Sequence, residues 1–338
     1  MATRYVPIMR WKRGEKIGLK NVLASSKARV FPIFELESDQ FKLKAATSRQ
    51  SALSAAEVVV KDVIECWGTS APFGLFFKSA HSLTEIATVA RSNNLKMIPV
   101  TTLHAPPSYQ SAIIAIQNID RRGIVLRISL NDAATVSTWM PSWPLHPSKI
   151  DLIIDIADQV SVVNGLGVIV DNLFKGLHKN YQWRSVTLSG TSMPQNFTGY
   201  VSGVHVIERL EFDLWQRLCA VGLASQLDYG DYTSTSIAPA PSSIAWGYPI
   251  NVRYTIGRTF LICRGVRTVG STGIPANVQL RGHANTILNT SGRGPITHCW
   301  ADQRIDAIAL GTEGPQTLEH WVRIGVNRHI EEIIRILP

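Results

Sequence analysis

Acidic and basic residues recur at the ends of short apolar runs along the first two-thirds of the chain, and their types suit chemistry on phosphate or carboxylate groups. Glu35-Leu36-Glu37 puts two carboxylates on one face of an extended segment, because side chains alternate along a strand. Asp155 closes another run, Asp231 follows a further one, and Lys78 and Arg127 supply cations. Glu35, Glu37 and Asp155 are ligands of the type that hold a divalent cation such as magnesium. A catalytic set of Glu35, Lys78, Arg127, Asp155 and Asp231 would then act as a metal-dependent phosphodiesterase or nuclease, with Lys78 and Arg127 stabilising charge in the transition state. The same acids and bases would equally satisfy one another as ion pairs, because buried charges must be paired whether or not a ligand exists.

A second group is basic. From Tyr232 to Ala301 there is no Asp or Glu, while Arg253, Arg258, Arg264, Arg267, Arg281 and Arg293 all fall inside. Arginine supplies all of that charge, and its planar fork suits bidentate contact with phosphate and stacking on bases. Trp246, Tyr248, Tyr254, Phe260 and Trp300 interleave with it. Arg253, Arg258, Arg264, Arg267 and Arg281 are therefore candidate contacts for nucleic acid, a nucleotide or another phosphate. Pairing with acids elsewhere, such as Glu208, Glu211 and Asp213, is the alternative. Ser189-Gly190-Thr191-Ser192 follows an apolar run, where backbone N–H groups often bind phosphate, so Ser189 and Ser192 join the candidates. Plain connecting turns have the same composition.

Familiar catalytic signatures are absent: there is no Gly-x-x-x-x-Gly-Lys-Ser/Thr loop, His-Glu-x-x-His or Gly-x-Ser-x-Gly. Cys66, Cys219, Cys263 and Cys299 are scattered, with no Cys-x-x-Cys pair, as suits free thiols in a reducing compartment.

The elements that would carry these residues alternate. Strand candidates are Tyr5–Met9, Val30–Leu36, Gly74–Lys78, Lys96–Thr101, Ile124–Ile128, Asp151–Ile156, Ser185–Leu188 and Ala224–Leu227. Helical patterns fall between them at Ser51–Trp67, Ser82–Asn93, Pro107–Ile119 and Gly203–Cys219. Eight such units predict an α/β fold, a (β/α)8 TIM-barrel-like domain over residues 1–232, with an open doubly wound parallel sheet as the alternative. Residues 233–338 form a basic, Gly-rich C-terminal extension packed on the barrel. It comprises a Ser/Thr/Pro/Ala stretch, a strand-like run over Asn251–Cys263, a Gly-rich region and a closing helix near Gln316–Leu337.

The chain has 338 residues, 45% of them hydrophobic and 17% charged, which excludes a disordered protein. The net charge is +9, and the acid-free stretch carries six positive charges. No apolar run approaches the ~18 residues of a membrane helix. Without an apolar leader, the expectation is a cytoplasmic protein with no membrane partner.

Tyr5-Val6-Pro7-Ile8-Met9-Arg10-Trp11-Lys12-Arg13-Gly14-Glu15 resembles the start of the phage "beta protein" family, or beta family proteins. Further matches follow in order at Pro32–Leu36, Ile153–Ile156, Ser185–Pro194, Arg209–Trp215, Tyr229–Tyr232, Val252–Thr255 and Trp321–Ile330. The resemblance covers essentially the whole chain and marks Glu35, Arg127, Asp155, Ser192, Glu211, Asp231 and Arg253 for testing. One departure is Asn327-Arg328-His329, where two adjacent histidines are expected. The resemblance implies a setting in phage–host conflict or antiviral defence and brings no activity with it. Three roles follow: a module binding nucleic acid or a phosphate-containing ligand, the metal-dependent enzyme described above, and a scaffold for an acidic partner protein within a defence assembly.

Overall fold

The computed structural model describes residues 3–37, 53–223, 226–237, 247, 249–293 and 299–338. The chain divides into two units, each drawn from several stretches of sequence.

The first unit takes Met1–Trp11, Lys27–Gly190 and Glu211–Asp231. Its strands are β1 (Tyr5–Arg10), β2 (Ile33–Leu36), β3 (Phe73–Phe77), β4 (Met97–Thr102), β5 (Ile124–Ile128), β6 (Ile150–Asp155), β7 (Ser185–Gly190) and β9 (Leu227–Asp231). Each pairs in parallel with the next, and β9 returns to β1 in the register Tyr5↔Tyr229, closing a barrel. The fold is thus a TIM-barrel-like α/β barrel and not an open sheet. Nearly continuous apolar runs build strands of this kind because both faces are buried, one inside the barrel and one under helices.

Counted from the N-terminus, helices α1 (Arg13–Lys20) and α2 (Ala24–Lys27) precede β2. The barrel then carries α3 (Ala55–Cys66), α4 (Ala80–Ser92), α5 (Pro107–Asp120), α6 (Leu130–Ala134), α7 (Val136–Trp139), α8 (Val160–Gly165), α9 (Val168–Asn180) and α10 (Leu210–Leu218). Local chemistry sets where they begin. Ser54 and Glu57 form a capping box ahead of α3, Ser129 and Asp132 another ahead of α6, and Pro107 opens α5.

The second unit takes Lys12–Ser26, Thr191–Leu210 and Tyr232–Pro338. One of its stretches begins at Tyr232, where the sequence changes character, and residues 12–26 and 191–210 also belong to this unit. Its sheet has the order β10-β11-β8, all antiparallel, from β8 (Gly203–Glu208), β10 (Asn251–Ile256) and β11 (Thr259–Arg264). Three helices follow: α11 (Ala276–Leu288), α12 (Trp300–Leu310) and α13 (Leu318–Ile336). Val252, Tyr254, Leu261 and Cys263 bury one sheet face against Leu280, Ala284, Ile305 and Trp321. Phe260 and Ile262 bury the other against Met193 and Phe197. α1 packs on α13 closely enough that a Cβ on Gly18 would stand 2.8 Å from the carbonyl oxygen of Arg323.

Three expectations change. Gly203–Cys219 is a strand followed by α10 and not one helix, since Val204, His205, Val206 and Ile207 alternate between exposed and partly buried positions as a strand requires. Asn251–Cys263 is a hairpin, turning at Gly257-Arg258. The eighth barrel strand starts at Leu227 and not at Ala224, which places Asp228 and Asp231 within it. The closing helix runs unbroken through Gly325. Among the described residues, no helix is long and apolar enough to cross a membrane.

Candidate functional site

In the barrel, Arg127 on β5 donates from Nε to Asp155 Oδ2 of neighbouring β6 at 2.7 Å and from Nη1 to Glu35 of β2. Strands β3 and β4 lie between β2 and β5, so the Arg127–Glu35 contact crosses the barrel interior. One guanidinium therefore joins two of the anticipated carboxylates. Asp155 also accepts from the Ala157 N–H through Oδ1 at 3.0 Å. Ser189, in register with Asp155, is fully buried, and its Oγ has no hydrogen-bond partner among the described residues.

The other anticipated members do not join them. Glu37 lies just past β2, about half exposed, with Oε1 4.0 Å from Arg10 Nε. Lys78 follows β3 and is exposed. Asp231 accepts from the hydroxyls of Tyr5 at 2.5 Å and Tyr229 at 2.8 Å. Tyr229 packs its ring on Phe212 and Trp215 of α10, and residues two apart share a strand face, so Asp231 faces the helix layer. Among the described residues, no three His, Cys, Asp or Glu side chains are grouped to hold a metal ion. The set Glu35, Glu37 and Asp155 is thus not assembled as a metal site, and Glu35 and Asp155 are instead bridged by a cation.

The basic residues divide differently. Arg253 on β10 and Arg264 on β11 line one cavity of ≈ 610 Å³ within the second unit. Stretches far apart in sequence share its wall: Gln195–Thr198, Ser234 and Thr235, residues between Gly247 and Asn251, Thr268, Ala276, and the Leu318–Gly325 face of α13. Among the described residues, no carboxylate lines it. Arg253 donates from Nη1 to the Ser234 carbonyl at 2.9 Å, and its guanidinium lies over Phe197, 5.3 Å from the ring centroid. Burial lowers the Arg253 pKa to about 10. Arg264 donates from Nη1 to Asn251 Oδ1 at 3.0 Å. Gly325 sits against this arrangement, where an added Cβ would stand 2.9 Å from Ser234 Oγ and 3.1 Å from the Arg253 carbonyl.

Arg258, Arg267 and Arg281 are exposed. Arg293 is internally paired, meeting Asp306 and, at 3.9 Å, Asp302. The acids that take it lie just past the acid-free stretch and are not Glu208, Glu211 or Asp213. Ser192 accepts from the Leu210 N–H through Oγ at 3.0 Å, which caps the start of α10. Trp246 and Tyr248 lie outside the described residues; Tyr254 and Phe260 are buried in the core.

Sequence reasoning did not find a buried polar cluster on α13. Arg328, fully buried, donates to Asp302 Oδ2 at 3.0 Å, Glu332 Oε2 at 2.9 Å and the Thr255 carbonyl at 3.0 Å. Burial alone would lower the Arg328 pKa, but Tyr254, Asp302 and Glu332 outweigh it and raise the value. Asn327 accepts from Ala301 N–H and donates to the Gly18 carbonyl, and His329 Nδ1 is 2.9 Å from Thr255 Oγ1. Three successive polar residues between the apolar Ile324-Gly325-Val326 and Ile330 were the available signal.

Over residues 5–335 the sequence matches the Beta protein family. The chain belongs to that family. The match spans both units, so the barrel, the arginine-lined cavity and the buried Asn327-Arg328-His329 cluster all fall within one Beta protein family sequence. No curated protein matches the chain.

Proposed function

We propose that this Beta protein family member is a binding module for a phosphate-bearing small molecule, held by Arg253 and Arg264, and that it acts in phage–host conflict or antiviral defence. The observation that carries the reading is the pair of guanidinium groups lining one cavity that no carboxylate lines among the described residues. Both guanidinium groups are partly buried beside neutral partners, and an anion entering the cavity would supply the counter-charge. The volume lies in the range of small-molecule sites, roughly 300–1,000 Å³. A fluorescence melting series with added sodium phosphate, against sodium chloride at matched ionic strength, tests it. Phosphate should raise the melting temperature of the natural protein and not of Arg253→Met. Equal responses to both salts would count against the proposal.

Exposed Arg258, Arg267 and Arg281 favour a second reading, in which a nucleic-acid backbone is contacted by these side chains. Its affinity would fall steeply with salt and would survive loss of Arg253. The enzyme reading receives less support, because Arg127 occupies the carboxylates that a metal would need.

A further inference from the structure

Resting on the phosphate-binding reading, we infer that the ligand is an organic phosphate monoester of nucleotide size, bound as its dianion, and not free phosphate, a polyphosphate or a diester. Three observations lead there. The first is charge. Arg253 and Arg264 bring two positive charges, and no lining carboxylate among the described residues offsets them. That balances one monoester dianion, whereas each backbone diester carries one negative charge and a triphosphate carries about four.

The second is space. Inorganic phosphate would fill a small part of ≈ 610 Å³, leaving the rest for a covalently attached body. The third is the remaining wall. Leu318 and Val322, both exposed there, give it an apolar side suited to a ring face, backed by the core residues Ile250 and Trp321. Asn196 and Asn251 add amides whose Oδ1 atoms already accept from Thr198 N–H and from Arg264, which directs their NH2 groups to acceptors on a ligand. A body with one apolar face and hydrogen-bond acceptors at its edge matches a nucleoside.

The anion would occupy the guanidinium end. Arg253 is fixed by Phe197 on one side and the Ser234 carbonyl on another, so it meets the phosphate without losing much side-chain freedom. Arg264 is fixed by Asn251 in the same way.

The test is calorimetric titration of the full chain with the 5′-monophosphates of adenosine, guanosine, cytidine and uridine, each compared with its nucleoside, its triphosphate and inorganic phosphate. At least one monophosphate should bind about tenfold or more tightly than its nucleoside and than inorganic phosphate, and no more weakly than its triphosphate. Arg253→Met and Arg264→Met should each remove about tenfold or more of that affinity. Thr268→Glu, which adds a carboxylate to the cavity wall and leaves both arginines in place, should abolish it even if an arginine variant proves unstable. Inorganic phosphate binding as tightly as every monophosphate, with the same Arg253 dependence, would overturn this inference and leave the phosphate-binding proposal standing. Tighter binding of every triphosphate than of its monophosphate would overturn it likewise. Absence of Arg253-dependent binding for all probes would overturn both.

Discussion

Arg253 lies half-buried over the ring of Phe197 with its guanidinium carbon 5.3 Å from the centroid, held by the ring face and not by a carboxylate. The Ser234 carbonyl takes one of its donors and leaves the group charged but not neutralised. The consequences can be measured separately for the cavity, the barrel and the core of the second unit.

Ligand affinity should depend on pH in two steps. A phosphate monoester gains its second charge at a pKa of about 6, so binding should strengthen as pH rises from about 5 to about 7.5. Arg253 loses its charge near its lowered pKa of about 10, so binding should weaken again there, below the pH at which an ordinary arginine deprotonates. Calorimetry across that range with a nucleoside monophosphate would check both limbs.

Gly325→Ala should weaken the same binding. The new methyl group would press on Ser234 Oγ and the Arg253 carbonyl, and relieving that contact shifts the strand that carries the guanidinium. A stability cost of about 1–3 kcal/mol is expected from overpacking, measured by denaturant titration.

In the barrel, Arg127 should act as a built-in substitute for a metal. Magnesium should leave the melting temperature of the natural protein unchanged, because Glu35 and Asp155 already share a cation. Arg127→Ala removes the cation that both carboxylates share, and this variant should melt lower without magnesium and recover part of the loss with it. A magnesium-dependent rise in the natural protein would restore the metal reading.

The second unit should be sensitive at Arg328. Replacing it with Met leaves Asp302 and Glu332 buried beside fewer counter-charges, at a cost of about 3–5 kcal/mol. Burial raises the Glu332 pKa, but Arg335, Arg328 and the Gly257 N–H outweigh that and hold it below the ordinary value. Its contribution is therefore present above the ordinary carboxylate pKa of about 4.3 and lost as pH falls through the lowered value. Glu332→Gln should flatten that acid limb in a pH series of denaturant titrations.

Much of the barrel was legible because parallel strands are buried on both faces and read as mostly apolar runs, as in Ile124–Ile128 and Ile150–Asp155, each broken by one or two charged residues. β9 was displaced because Asp228, Gly230 and Asp231 dilute its apolar character. β8 merged with α10 in the reading because a β-branched run passes into a helical one with only Arg209 between. α11 was hidden in a Gly-rich, acid-free composition, and Gly282 stands within it.

The candidate site was legible as a composition but not as a place. An excess of arginine is visible in the sequence; that Arg253 and Arg264 share a cavity while Arg293 is internally paired depends on partners up to about seventy residues away. The carboxylate pair was anticipated at Glu35 and Asp155, and its cation is Arg127, which had been assigned to substrate. Asp231 was misjudged by one structural fact: it shares a strand face with Tyr229, which turns to the helices.

The most direct test is the affinity of the natural protein for inorganic phosphate, measured by calorimetry beside Arg253→Met, with circular dichroism confirming that both are folded. The account predicts saturable binding by the natural protein and a loss of about tenfold or more in the variant. Saturable binding of equal strength in both proteins, or none in the natural one, would contradict it.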